Sequence, residues 1–159
     1  MHTLTLGDDD LLPLYLAVVY HLGRPGSEAL AMGHPELGLA TVREAIDPQL
    51  GLASAQVEVG DYQLRRIGLG LHGIVSELKQ FGMAQGRSVV PGFSEAVVRL
   101  FPDAREEGGA LDLVQPAIMF RRRLDGAVRQ AEAAVEAARI AQAEPAAEQR
   151  SPWWKLWRR

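Results

Sequence analysis

AQVEVGDYQLRRIGLGLHGIVSELKQFGMAQG, residues Ala55 to Gly86, admits two incompatible readings, and the choice between them decides the fold. Its centre, GLGLHG from Gly68 to Gly73, has the glycine spacing that lets a backbone approach a dinucleotide pyrophosphate. The surroundings do not suit that use. The preceding YQLRR is too charged for a buried parallel strand, no acidic residue ends a second strand about twenty residues on, and too little chain remains for such a fold. The other reading is a short strand, with Val57 and Val59 alternating against polar neighbours, then Gly60 and Asp61, then a long helix to about Ala84 closed by Gly86. On that helix the glycines are places of close approach, so Gly70 and Gly73 should face a neighbouring helix.

The chain opens with the same grammar. In TLTLGDDDLLPLYL, Thr3 to Leu6 alternate, Gly7 follows, and of Asp8, Asp9 and Asp10 one should cap a helix while the others suit its positive first turn. A helix over about 9 to 22 follows. Its apolar positions Leu11, Leu12, Leu14, Leu16, Val18, Val19 and Leu22 nearly encircle it, which predicts central burial. Aligned on Gly7 and Gly60, Leu6, Leu11, Leu14 and Leu16 fall on Val59, Leu64, Ile67 and Leu69, the mark either of a duplication or of two strand-to-helix entries sharing local chemistry. Neither strand can satisfy its backbone alone, so residues 3 to 6 and 56 to 59 are expected to pair as a two-stranded ribbon.

The remaining segments read as helices. SEALAMG and PELGLATVREAID give two helical pieces over residues 27 to 47, the second entered through Pro35 and stopped at Asp47 and Pro48. PGFSEAVVRLF gives a short helix over about 91 to 101, and REEGG a loop. From Ala110 a helical pattern runs to about Ala143, with Pro116 in its first turns or kinking it. Its seam is Ala117, Phe120 and Leu124, then Ala127, Ala131, Ala134, Ala138 and Ala141, and suits either close packing on a partner helix, including a homo-oligomer through residues 117 to 141, or a thin stalk. The expected organisation is a mainly α domain over residues 1–143, a compact bundle of about five helices with the ribbon attached, a linker over 144–152 and a tail over 153–159.

Bulk composition narrows the chemistry. With 159 residues the chain can bury a core without covalent staples, and the absence of cysteine excludes disulfides, thiolate metal sites and cysteine nucleophiles. LLPLYLAVVYHL, Leu11 to Leu22, is too short to span a bilayer, contains Pro13 and follows three aspartates where a secretion signal needs positive charge. A cytoplasmic location is the expectation, with peripheral association at the inner face of the membrane.

No side-chain constellation announces catalysis. His2, His21, His34 and His72 do not share helical ligand spacing, so a metal site would have to be assembled from the distant His21, His72 and Glu77. Ser76 and Ser88 lie in no nucleophile motif, Glu106 and Glu107 sit in the REEGG loop, and no cofactor is expected. QGRSVVPG, Gln85 to Gly92, reads as a glycine-capped turn in preference to an anion cradle around Arg87. Arg121, Arg122 and Arg123 are consecutive and so spread over about 200° of helix azimuth. That spread, with the acidic balance of the chain, argues for a solvated face bridged to nearby glutamates and against nucleic acid as a partner.

The end of the chain is different. SPWWKLWRR places all three tryptophans and three of the seventeen basic residues in the last seven positions. Residues 1–149 carry thirteen basic and twenty acidic side chains, net −7, whereas residues 150–159 carry four basic and none acidic. In helical projection Trp153, Trp154, Leu156 and Trp157 lie toward one side and Lys155, Arg158 and Arg159 toward the other or at the end. Such a segment is too short to be helical alone in water, and orders on a surface. The expected function is therefore a non-catalytic adaptor or scaffold whose body binds a partner. Its tail binds either an anionic membrane surface or pockets on a protein partner.

Overall fold

The structure, a computed structural model, describes residues 1–29, 32–83, 87–106 and 108–148. Five α-helices and two strands occur among them, and the molecule is mainly helical. The chain divides into two units, Met1–Arg123 and Leu124–Arg159.

In the first unit the two alternating runs pair as expected. β1 (His2–Gly7) and β2 (Ser54–Val59) form an antiparallel ribbon in which Leu4 opposes Val57 and Leu6 opposes Ala55. Leu6, Ala55, Val57 and Val59 are buried on one face, while Thr3, Thr5, Gln56 and Glu58 are exposed on the other. Each strand leads directly into a long helix, α1 (Asp8–Leu22) after β1 and α3 (Asp61–Met83) after β2.

Burial encircles α1 as its sequence predicts, with Leu11, Leu14, Tyr15, Leu16, Ala17, Val18 and Val19 all inside. No aspartate caps it. Gly7, in an extended conformation, occupies the N-cap without a side-chain hydrogen bond, because the helix begins one residue earlier than its apolar pattern. Pro13 lies inside the helix and has no N–H to offer the carbonyl of Asp9. On α3 the stripe Leu64, Ile67, Leu71, Ile74, Leu78 and Phe81 is buried at helical spacing.

The segment between α1 and β2 departs from its expectation. SEALAMG forms turns in its described residues, and PELGLATVREAID splits into a 3₁₀ turn at Pro35–Leu37 and a shorter helix, α2 (Ala40–Ile46). The break is at Gly38, which is extended and whose carbonyl accepts from Gln63 Nε2 at 2.8 Å and from Thr41 Oγ1 at 3.2 Å. A tertiary hydrogen bond from a buried glutamine thus overrides local helical preference. Leu39, Val42 and Ile46 still reach the core.

After α3, α4 (Phe93–Leu100) inserts Phe93, Ala96 and Val97, and 3₁₀ turns at Pro102–Arg105 and Gly109–Leu113 lead into α5 (Val114–Glu148). Pro116 falls in the first turn of α5, where a missing N–H costs little. Ala117 and Phe120, the bulky start of the predicted seam, are buried. In the second unit Leu124 is buried and Ala127 exposed, and the helix continues through Pro145 to Glu148, beyond the expected end near Ala143.

Candidate functional site

The glycine motif sits in the middle of α3, so it is not a phosphate loop. A Cβ on Gly70 would lie 2.7 Å from the backbone oxygen of Ala17, and one on Gly73 would lie 2.2 Å from the Tyr20 ring. Both glycines are contact points with α1, as the helical reading requires. Gly68 meets nothing within 4 Å, and Leu69 is 66% exposed, although its counterpart in the aligned opening, Leu16, is buried.

His21, His72 and Glu77 do not form one constellation. His72 Nδ1 is 2.8 Å from Arg121 Nη1 at the surface, Glu77 accepts a hydrogen bond from the Ser88 hydroxyl, and His21 is buried beside Glu28. His2 bonds Asp61 at 2.6 Å, and this contact holds the Asp61 carboxyl below the usual carboxylate range. His34 meets its neighbour Glu36 at 3.1 Å. Among the described residues no three His, Asp or Glu side chains are placed to hold a metal ion.

Sequence reasoning missed a buried polar knot that joins α1, α3 and the loop between α1 and α2. Arg66 reaches Glu28 Oε1 at 3.1 Å and the carbonyl of Leu37 at 3.3 Å, with its guanidinium over the Tyr62 ring. Glu28 Oε2 accepts from the backbone N–H of Leu39 at 3.2 Å. Gln63 accepts from Gly60 N–H and donates to Gly38 and Thr41. His21 Nε2 lies 3.4 Å from Glu28 Oε1 without hydrogen-bond geometry, so this is a charge contact only when the imidazole is protonated. Burial, and then Arg66, push the His21 pKa down, while Glu28 opposes them. The visible signal was a helix carrying Gln63, Arg66 and Glu77 among the apolar positions of its buried face.

Arg121 and Arg123 do not form a phosphate-facing stripe with Arg122. Arg121 turns to His72 on α3 and Arg123 to Asp10 on α1, so each reaches a partner on another helix. QGRSVVPG behaves as a turn in its described residues: Ser88 accepts from Val90 N–H at 3.0 Å, and Ser94 accepts from Ser88 N–H at 2.8 Å.

The first unit carries a cleft and a cavity among its described residues. A cleft of about 410 Å³ is lined by Tyr15, Arg43, Glu95 and Arg99 among others, with Arg99 donating to the Tyr15 hydroxyl at 2.5 Å and stacked over its ring. A smaller apolar cavity of about 120 Å³ is lined by Leu12, Pro13, Leu16, Ile74, Phe101 and Leu113. The cleft presents two cations and one acid; the cavity is apolar apart from Asp9 in its lining. The tail residues Trp153, Trp154, Lys155, Leu156, Trp157, Arg158 and Arg159 lie outside the described residues. Compared with protein-family models, with curated proteins and with solved structures, the chain matches none.

Proposed function

We propose that this protein is a non-catalytic adaptor whose helical body binds a partner and whose tail, Trp153 to Arg159, holds that body at an anionic membrane surface. The observation that carries this reading is the concentration of all three tryptophans and three basic residues in seven positions, on a chain whose first 149 residues are net −7. Tryptophan favours the headgroup level because one end of its ring is apolar and the other donates a hydrogen bond. Each cation near an anionic surface contributes about 1 kcal/mol, so the tail supplies about 3 to 4 kcal/mol before ordering costs, marginal for a single copy.

The proposed association is a surface contact at the cytoplasmic leaflet; no helix among the described residues is long and apolar enough to cross a membrane. The test is cosedimentation with vesicles, comparing the full chain with a chain ending at Gln149 and with W153A/W154A/W157A. Each is measured on anionic and neutral lipid at low and high salt. Binding confined to the full chain and anionic lipid, and released by salt, supports the tether. Absence of binding on both lipids refutes it and turns the tail into bait for an acidic protein partner.

A further inference from the structure

The ribbon treats its two edges unequally. Along β2 the outer edge is occupied by a side chain: Gln49 donates from Nε2 to the Gln56 carbonyl at 3.0 Å and accepts at Oε1 from the Gln56 N–H at 2.9 Å. A third bond, Gln49 Nε2 to the Ala45 carbonyl at 2.7 Å, fixes this amide to the end of α2. The glutamine therefore stands in for one residue of a neighbouring strand.

This contact also sets the parity of the ladder. Residues along an antiparallel strand alternate in the side to which their N–H and C=O both point. Gln56 points outward to Gln49, so its partner Thr5 points outward on the opposite side, and Thr3, opposite Glu58, does the same. Thr3 and Thr5 are exposed, and among the described residues nothing bonds their backbone groups. Only β2 and α1 pack extensively against β1.

Sheet edges are ordinarily protected by proline, lysine, inward charges or a covering segment. HTLTLG has neither proline nor lysine, its one ionisable residue, His2, is engaged by Asp61, and its outer edge has no cover among the described residues.

We infer that the edge of β1 pairs with the same edge of a second copy, joining two ribbons into one four-stranded antiparallel sheet. The occupant is argued from the strand's own self-complementarity. A two-fold axis at Leu4 sets Thr3 against Thr5 of the other copy in both hydrogen-bonded pairs, with Leu4 facing Leu4 between them. This register stays clear of the helix start at Asp8. It brings the two half-buried Leu4 side chains together on the inner face and two threonine pairs on the outer. The strand carries no carboxylate, lysine or arginine, so no like charges meet along it, whereas the β2 edge would present Glu58. A five-residue edge buries little area, so the association is weak and depends on concentration. It is independent of the tail.

The test is sedimentation velocity over a concentration series with the full chain, Thr5→Pro and Thr3→Lys. Thr5 N–H faces away from β2, so proline there leaves the ribbon's own ladder intact. It removes two intermolecular hydrogen bonds by symmetry, and the association constant should fall roughly 30-fold. Thr3→Lys keeps every backbone donor and adds the charge that natural edges use, which tests the edge even if Thr5→Pro fails to fold. In the cysteine-free chain, Leu4→Cys should cross-link between copies under mild oxidation while Leu6→Cys does not. A chain that stays monomeric across the series overturns the proposal, as does a dimer that survives both edge variants.

Discussion

Replacing Gly70 by alanine tests how closely α1 and α3 approach. The new Cβ would lie 2.7 Å from the Ala17 backbone oxygen, against an ordinary contact of 3.4 Å or more, so the helices must separate locally by about 0.7 Å. Overpacking of this kind costs about 1 to 3 kcal/mol. Alanine is also a better helix former than glycine by about 1 kcal/mol, which partly conceals that cost. Gly68 supplies the control. It lies two residues away on the same helix and its Cβ would meet nothing within 4 Å, so Gly68→Ala should raise stability by about 0.5 to 1 kcal/mol. The propensity gain is common to both variants and cancels in their difference.

Gly70→Ala should therefore be less stable than Gly68→Ala by about 1 to 3 kcal/mol, a separation of about 2 to 12 °C in midpoint for a domain of this size. The assay is urea and thermal unfolding followed by far-ultraviolet circular dichroism, which reads the helices of the body directly. Gly73→Ala should fall between the two, since it presses on the Tyr20 ring, which can rotate, and not on backbone. Equal stability of Gly70→Ala and Gly68→Ala would refute the close crossing.

Four further outcomes are expected. His21 is held below its ordinary pKa of 6.5, so the unfolded state takes up the proton first; stability is full above about pH 6.5, falls as pH drops through the folded value, and His21→Gln should flatten that slope in urea titrations. The exposed Asp61 shifts in the same direction in a more acid window, below about pH 4, and should leave the slope near pH 6 untouched. Phe81→Ala empties a fully buried ring site and should cost about 3 to 5 kcal/mol in urea unfolding, unless α3 packs less tightly than its burial indicates. Gln49→Ala should cost about 0.5 to 1.5 kcal/mol and speed hydrogen exchange at the Gln56 amide, while the amides of Leu4 and Leu6, which face β2, stay protected.

Much of the architecture was legible because it rests on local periodicity. Both strands, α1 and α3 follow from alternation giving way to a helical stripe, and the dinucleotide reading of GLGLHG could be rejected from its charged surroundings, the missing acidic residue and the short remaining chain. What was illegible depends on distant partners. Nothing near Gly38 says that Gln63, on another helix, takes its carbonyl and splits a predicted helix in two. Nor does the sequence around Glu28 reveal Arg66 and Leu39 as its partners, because those contacts exist only once α1, α3 and the intervening loop have docked. The aspartate cap failed for a smaller reason: a strand running straight into the helix moved its start to Asp8. The histidines were readable only as dispersed, and their separate partners show the consequence.

Gln49 has a consequence for how large an assembly can grow. A ribbon with two open edges can add neighbours without end, and repeated edge pairing of that kind makes fibres. With Gln56 on the β2 edge engaged by a side-chain amide from its own molecule, the inferred pairing through β1 has no equally free second edge from which to continue. On that inference, the same glutamine that contributes modestly to the stability of one molecule also disfavours growth beyond two copies, through the reach of one side chain from the end of α2.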